Sequence, residues 1–466
     1  MKQRVNVRSN GGMALPIALG IMMVLGITVV TVLGFTSSSQ RDAKLSEANQ
    51  VAVDVAEAGL NHAESVLANA ADADSAGALP SSCGTQVPAE GGTFCYWGNL
   101  DSSVSPHRWT VSAASTIQNP TGGAAVSHTV TAQFDVAIPI TGNEGWNYVF
   151  SDAPGCTYYQ NNVTVGAPVY TKGDLCIKNG SALVGPQVDS YGGIQLENSG
   201  RVGTSPSDAS DPAVRSRLGC RNGSSPSWPT GLPCPDTSFE VYRSSFSNAT
   251  PGLTKPPFDA TKRSIAKPGP LQPCTVSSGT VPSFTTTSAV DLMPGTNYTC
   301  QVWQSSVLVG ELSWNDTTNV LTVKGTIWFD GELIMSGNQA GTYNGDATIY
   351  VAKKVSFSNY TELCALPGCP TSGWDPNTEM LLIATAAADV PAFEISNFAK
   401  FQGGAYAVGG FKLQNNGEMH GPVMAGVVDV QNNGMPASWP PLTSLSDGAP
   451  SNVGRTAILV PGSWRG

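Results

Sequence analysis

The sequence predicts a mainly β protein that begins with one long α-helix, continues through a small α+β domain, and ends in a single-stranded parallel β-helix, or solenoid. Three observations carry this. An uncharged run from Met13 to Phe35 passes without a break into a helical apolar pattern. Alternating strand patterns follow it. Beyond residue 146, glycines, asparagines and apolar residues recur together at constant offsets of 19 and 17 residues.

The first element is the helix, residues 13–70. At about 1.5 Å per residue, 13–35 reaches roughly 34 Å, enough to cross a hydrocarbon core of about 30 Å. The residues before it carry Lys2, Arg4 and Arg8 and no acid. The excess of basic charge on that side places Met1 in the cytoplasm and the rest of the chain outside. A secretory signal peptide has an apolar core of about 7–15 residues, and this run is longer. From 43 to 70 the pattern turns amphipathic, with Leu45, Ala48, Ala52, Val55, Gly59, Ala63 and Val66 or Leu67 spaced by three or four. No proline or turn cluster separates the two halves, so one helix of about 55 residues is expected.

The basic leader 1–12 ending in Gly11-Gly12, the Met-Ala-Leu-Pro-Ile-Ala-Leu run after it, and Ala56-Glu57-Ala58-Gly59-Leu60 further on together resemble the N-terminus of type IV pilin-like proteins. The likeness is to the PilX-type region of pilus assembly proteins and covers about 70 of the 466 residues. It implies cleavage by a prepilin peptidase after Gly12, with Met13 as a methylated mature N-terminus. It also implies that the apolar face containing Ile17, Ile21, Val24 and Leu25 packs in lipid and then among other pilin helices. Major pilins carry glutamate at the fifth mature position; this chain has Ile17, which suits a minor subunit.

Residues 71–145 form the next unit. Strands are expected at Thr93 to Trp97, Arg108 to Thr116 and Val126 to Val136, the last with Val130, Ala132, Phe134 and Val136 on one face. The resemblance implies a helix lying on an antiparallel sheet.

The solenoid is expected over 146–434. Gly166/Gly185, Val169/Val188, Thr171/Ser190, Leu175/Ile194, Ile177/Leu196 and Asn179/Asn198 correspond at an offset of 19. At an offset of 17, Gly409/Gly426, Phe411/Val428, Leu413/Val430 and Asn415/Asn432 correspond, and Gly325 to Gly337 supplies another copy with Leu333 and Met335. Alternate apolar residues point inward, and glycine and asparagine take corners that need positive φ. Asparagines at equivalent corners can stack as a polar ladder. A β-sandwich would also show short alternating strands, but would not need a fixed offset.

Residues 204–300 interrupt the repeat with a Pro-, Ser- and Thr-rich insertion, read as a binding excursion or as a lid over an open edge. Leu292 to Tyr298 leads back into the coils. The tail 435–466 is Pro-rich, with Thr456 to Val460 as a capping strand.

Only 12% of residues are charged and the net charge is −10, with no basic patch, so nucleic acid is excluded as a partner. The cysteines fall in near neighbours: Cys83 and Cys95, Cys156 and Cys176, Cys220 and Cys234, Cys274 and Cys300, Cys364 and Cys369. Outside the cytoplasm these read as disulfides, with sequential pairing as the simplest of several connectivities. Cys364 and Cys369 lack the second close Cys or His pair that a zinc site needs. Asp72 and Asp74 lack the rest of a calcium loop.

Many parallel β-helices act on polysaccharides, and Asp330 and Glu332 are the best candidate carboxylate pair, about 7 Å apart on one strand. Equivalent positions in other copies build no acidic stack, and a solvated face explains them. His62, His107, His128 and His420 are scattered, and no nucleophile or phosphate-loop motif is present. Trp228, Trp303, Trp314 and Trp374 lie in or near non-repeat regions, where core packing is expected ahead of ligand stacking. The reading is thus a non-enzymatic, cofactor-free minor pilin-like protein, anchored by a single pass with its C-terminal part outside the cytoplasm or on a pilus. Its expected partners are lipid, pilin subunits, assembly machinery, the peptidase and a surface glycan or protein. The alternative is a membrane-anchored β-helix enzyme acting on extracellular polysaccharide.

Overall fold

Ala48, Ala52, Val55, Ala56, Leu60, Ala63 and Leu67 are all buried, and their spacing puts them on one stripe of a helix. The computed structural model describes residues 14–70, 77–101, 107–204, 211–223, 234, 240–266, 275–276, 289–304, 307–369, 373–446, 448–453 and 456–466. Its helix α1 is continuous from Ala14 to Asn69, 56 residues. The apolar first part is exposed along its length; the stripe from Ala48 onward lies on an antiparallel sheet. That sheet has the order β1 (Val87–Ala89), β2 (Gly92–Asp101), β3 (His107–Ile117), β4 (Val126–Pro139).

Alternation builds the contact. Trp109, Val111 and Ala113 on β3 and Val130, Ala132, Phe134 and Val136 on β4 are buried against the helix. The outer face is polar, with Arg108 and Asp135 paired at 2.6 Å. Gly59 lets the helix approach closely: a Cβ there would stand 2.8 Å from Ala113 Cβ and 3.1 Å from Phe94 Cδ2. Ser115 Oγ donates to the Ala52 carbonyl at 2.6 Å, so the contact also satisfies a buried hydroxyl.

The tail that the sequence sets apart at 435–466 does something different from capping the solenoid. Met435–Ala437 is still a strand of the parallel body, pairing with Glu418–His420. Thr456–Leu459 then pairs antiparallel with Phe134–Ala137 of β4, and Ser444–Leu445 with Ile138 and Pro139. The parallel body is therefore inserted between two neighbouring strands of the small sheet. An apolar alternation identifies a strand but not its partner, which is why the sequence places this one wrongly.

Within the body, parallel pairs match the offsets read from sequence. Val169 pairs with Val188 and Leu175 with Ile194; Phe411 pairs with Val428 and Leu413 with Val430. The stacking order, however, is not the chain order. Val423 and Val430 pair with Val149 and Tyr159, so the first turn of chain lies in the middle of the stack. From there the chain winds outward to Ala213–Ser216 and Ser245–Ser247 at one end. It crosses to the other end and winds back from Val320–Phe329 to Val423–Gln431.

An asparagine ladder runs through that junction. Asn198, Asn179, Asn161, Asn432, Asn415, Asn397 and Asn359 each bond to the next by side-chain amides, at 2.9–3.3 Å. All have positive φ, between 49° and 64°, a conformation asparagine tolerates better than other side chains do. The contact between Asn161 and Asn432 is in line with the rest.

The segment expected as an insertion at 204–300 contributes strands at Ala213–Ser216, Cys220–Asn222 and Ser245–Ser247, then crosses the stack as a strap. It covers an outer column of register-matched residues: Trp328, Tyr350, Ala384, Tyr406, Met424, Phe150, Tyr170 and Asp189. Tyr170 and Tyr406 donate their hydroxyls to the carbonyls of Pro251 (2.8 Å) and Pro256 (2.7 Å). Lys255 donates to the Ala407 and Val408 carbonyls at 3.0 Å each, and Phe258 packs edge-on against Trp328 and Tyr350. At the far end, Tyr298–Gln304, Val307–Asn315 and Val320–Phe329 form an antiparallel meander that covers the last turn.

Candidate functional site

The element with the clearest functional chemistry is the free half of α1. Ile17, Ile21, Val24 and Leu25 share one face and are 57%, 55%, 64% and 58% exposed. The helix is long and apolar enough to cross a membrane. Its polar side chains are silenced internally: the hydroxyls of Thr28, Thr31 and Thr36 donate to the carbonyls of Val24, Ile27 and Val32, four residues back. This lets the segment sit in lipid or among other apolar helices without an unsatisfied donor. Gly12 and Met13, the expected cleavage and methylation residues, lie outside the described residues.

The other residues singled out from sequence fall apart in space or are otherwise engaged. Asp330 holds Arg263 in a two-pronged ion pair at 2.8 and 3.0 Å and accepts a bond from Trp328 Nε1 at 2.9 Å. His62 packs against the rings of Phe94 and Tyr96, His107 and His128 lie on β3 and β4, and His420 lies on the parallel body, 3.3 Å from Glu418. Trp314 and Trp374 are buried and Trp303 is partly exposed; Trp228, Asp72 and Asp74 lie outside the described residues. Among the described residues no group of His, Cys, Asp and Glu could hold a metal ion.

Disulfides join Cys83 to Cys95, Cys156 to Cys176, Cys220 to Cys234 and Cys364 to Cys369, with Cα separations of 5.4, 5.8, 4.8 and 5.4 Å. Cys300 is also disulfide-bonded, and Cys274 lies outside the described residues.

An ion pair in the outer column is not among the residues singled out from sequence. Asp189, fully buried in the outer column, receives Arg215 through Nε at 2.7 Å and Nη2 at 2.5 Å, and Arg215 also donates to Tyr148. Burial, with Asp189 nearby, pushes the Tyr148 phenol up to about 12. The arrangement is satisfied on every side and has the character of a structural pair.

The chain is similar to one solved pilin. The crystal structure of the competence-associated pilin ComZ from Thermus thermophilus covers with 86% of its own length 83% of this chain, at 13% identity and a TM-score of 0.38. No family model matches the chain, and no curated protein matches it. Sequence reasoning missed Arg215 and Arg263. Arg215 had a signal, because Pro212-Ala-Val-Arg-Ser repeats Pro186-Gln-Val-Asp-Ser at an offset of 26 and sets Arg215 opposite Asp189, whereas Arg263 and its partner Asp330 are distant in sequence.

Proposed function

We propose that the protein is a minor pilin-like component of a type IV pilus or a related assembly system. The observation that carries the reading is the division of α1: an exposed apolar half with internally satisfied hydroxyls, continuous with a half that packs on an antiparallel sheet. A single-pass anchor needs only the first half. A helix that must leave lipid and pack among other helices while holding a globular part at fixed distance needs both. The leader ending in Gly11-Gly12 supports the same reading.

In this account the parallel strands form one β-helix, carried outside the cytoplasm for adhesion or assembly. The small sheet joins it to the helix through two connections, since both β4 and the strand Thr456–Leu459 belong to that sheet. Two connections restrain the body better than one linker would. The protein works without a catalytic centre or cofactor, and the engagement of Asp330 by Arg263 and Trp328 supports that over a glycosidase pair.

Mass spectrometry of the chain purified from its own cells tests the reading. A mature N-terminus at methylated Met13 is expected. An intact Met1, or cleavage near Ser39, would remove its main support. A glycan-degradation screen with Asp330→Asn and Glu332→Gln controls tests the enzyme alternative, and activity abolished by either substitution would overturn the non-enzymatic reading.

A further inference from the structure

Two segments leave the parallel body at neighbouring corners, one after Cys364 and one after Ala437, and a cleft of about 530 Å3 opens between them. Trp374, Asp375 and Asn377 come from the first segment, Gln402 and His420 from the body, and Ser438 from the second. We propose that this cleft binds a short neutral saccharide.

The cleft is built rather than incidental. Asn377 ties the two segments together: its Oδ1 accepts from the Thr443 amide at 2.6 Å and hydroxyl at 2.9 Å, and its Nδ2 donates to the Pro441 carbonyl at 3.1 Å. Asp375 Oδ1 accepts from the amide and Nδ2 of Asn377 at 3.0 and 2.9 Å, and Trp374 Nε1 donates to the Glu379 carbonyl at 2.8 Å. The Cys364–Cys369 disulfide closes the base of the first segment. Trp374 is seated against two stacked glycine corners: a Cβ on Gly421 would stand 2.0 Å from the Gly403 carbonyl oxygen and 3.1 Å from Trp374 Cη2. Such a pocket is already ordered before a ligand arrives, which lowers the cost of binding.

Its chemistry selects the ligand class. The volume lies in the range of small-molecule sites, about 300–1,000 Å3. The lining offers the Asp375 carboxylate, the His420 imidazole and the Ser438 hydroxyl, groups that exchange hydrogen bonds with sugar hydroxyls, while the Asn377 and Gln402 amides are engaged within the walls. Among the described lining residues there is no Lys or Arg, and the Asp375 carboxylate is present, so a phosphate, sulfate or uronate would find no permanently cationic partner. Among the described lining residues the apolar side chains are Trp374 and Pro440, too little to hold an acyl chain. Asp375 and Ser438 stand exposed at the rim, where a ligand meets them first.

The inference extends the display reading, since a body held outside the cell is one that meets glycans. It is tested without it, on the full-length protein in detergent micelles. The probe is an array of neutral di- and trisaccharides, followed by calorimetric titration of whichever binds. Binding to at least one is expected, weakened at least tenfold by Ser438→Trp, which fills the cleft from its exposed rim, and by Asp375→Ala, with melting behaviour of the Ser438→Trp protein unchanged. No binding to any neutral saccharide, or binding that both substitutions leave intact, would overturn the proposal. Neither result bears on the mature N-terminus, so failure here is distinguishable from failure of the pilin-like reading.

Discussion

Replacing Asn161 tests the junction at which the returning chain meets its own first turn. Asn161 donates to Asn432 Oδ1 and accepts from Asn179 Nδ2, both at 2.9 Å, with its own φ at 64°. Asn161→Ala removes one part-buried and one exposed hydrogen bond, together about 1–2 kcal/mol. It also places a Cβ without compensating bonds in the left-handed region, a further roughly 1–2 kcal/mol. The expected loss is therefore about 2–4 kcal/mol. Asn161→Gly loses the same bonds but relieves the backbone, and is expected to be milder than alanine by about 1 kcal/mol. The assay is urea unfolding of the full chain in micelles with disulfides intact, followed by tryptophan fluorescence. Two variants indistinguishable from the parent would refute the ladder as a bond that closes the stack, and a glycine variant no more stable than the alanine variant would refute the backbone contribution.

Other perturbations have equally definite outcomes. Gly59→Leu forces a side chain into Ala113 and Phe94 and should cost about 1–3 kcal/mol by overpacking, read as a lowered melting temperature of the small domain. Lys255→Ala removes the ammonium that holds the Ala407 and Val408 carbonyls and should cost about 2 kcal/mol, detected as faster proteolysis of the strap. In alkaline titration by ultraviolet difference absorbance, Tyr148 should ionise near 12 rather than near its ordinary value. Its folded pKa is raised, so its contribution to stability is complete below about pH 10 and falls as pH rises from there towards about 12, because the unfolded phenol ionises first. A Tyr148→Phe protein with the same alkaline stability profile would contradict that.

Some of this was legible in the residues themselves. The helix could be read because Ala48, Ala52, Val55, Gly59 and Ala63 keep one period and nothing interrupts it; Leu45, though on the same pattern, lies past the sheet and is partly exposed. The registers Val169 with Val188 and Phe411 with Val428 were legible because in a parallel pair like faces like, so local similarity reports contact. What joins distant turns leaves no such trace. Asn432 meets Asn161 rather than an end cap, and the sequence around neither residue encodes which turn is next. The strap looks like an insertion in sequence because much of its hold comes from backbone carbonyls at Pro251 and Pro256, which carry no side-chain pattern. The cleft was missed because its walls come from three separate segments.

The central claim is that the exposed face of α1 is built to pack among pilin helices as well as in lipid. A photo-reactive residue in place of Ile21, which is 55% exposed, tests it in filament-bearing cells. Irradiation should yield a covalent adduct with a pilin subunit in the sheared filament fraction, in addition to lipid adducts in the membrane fraction. Adducts with lipid alone, and none with any pilin in either fraction, would contradict the account.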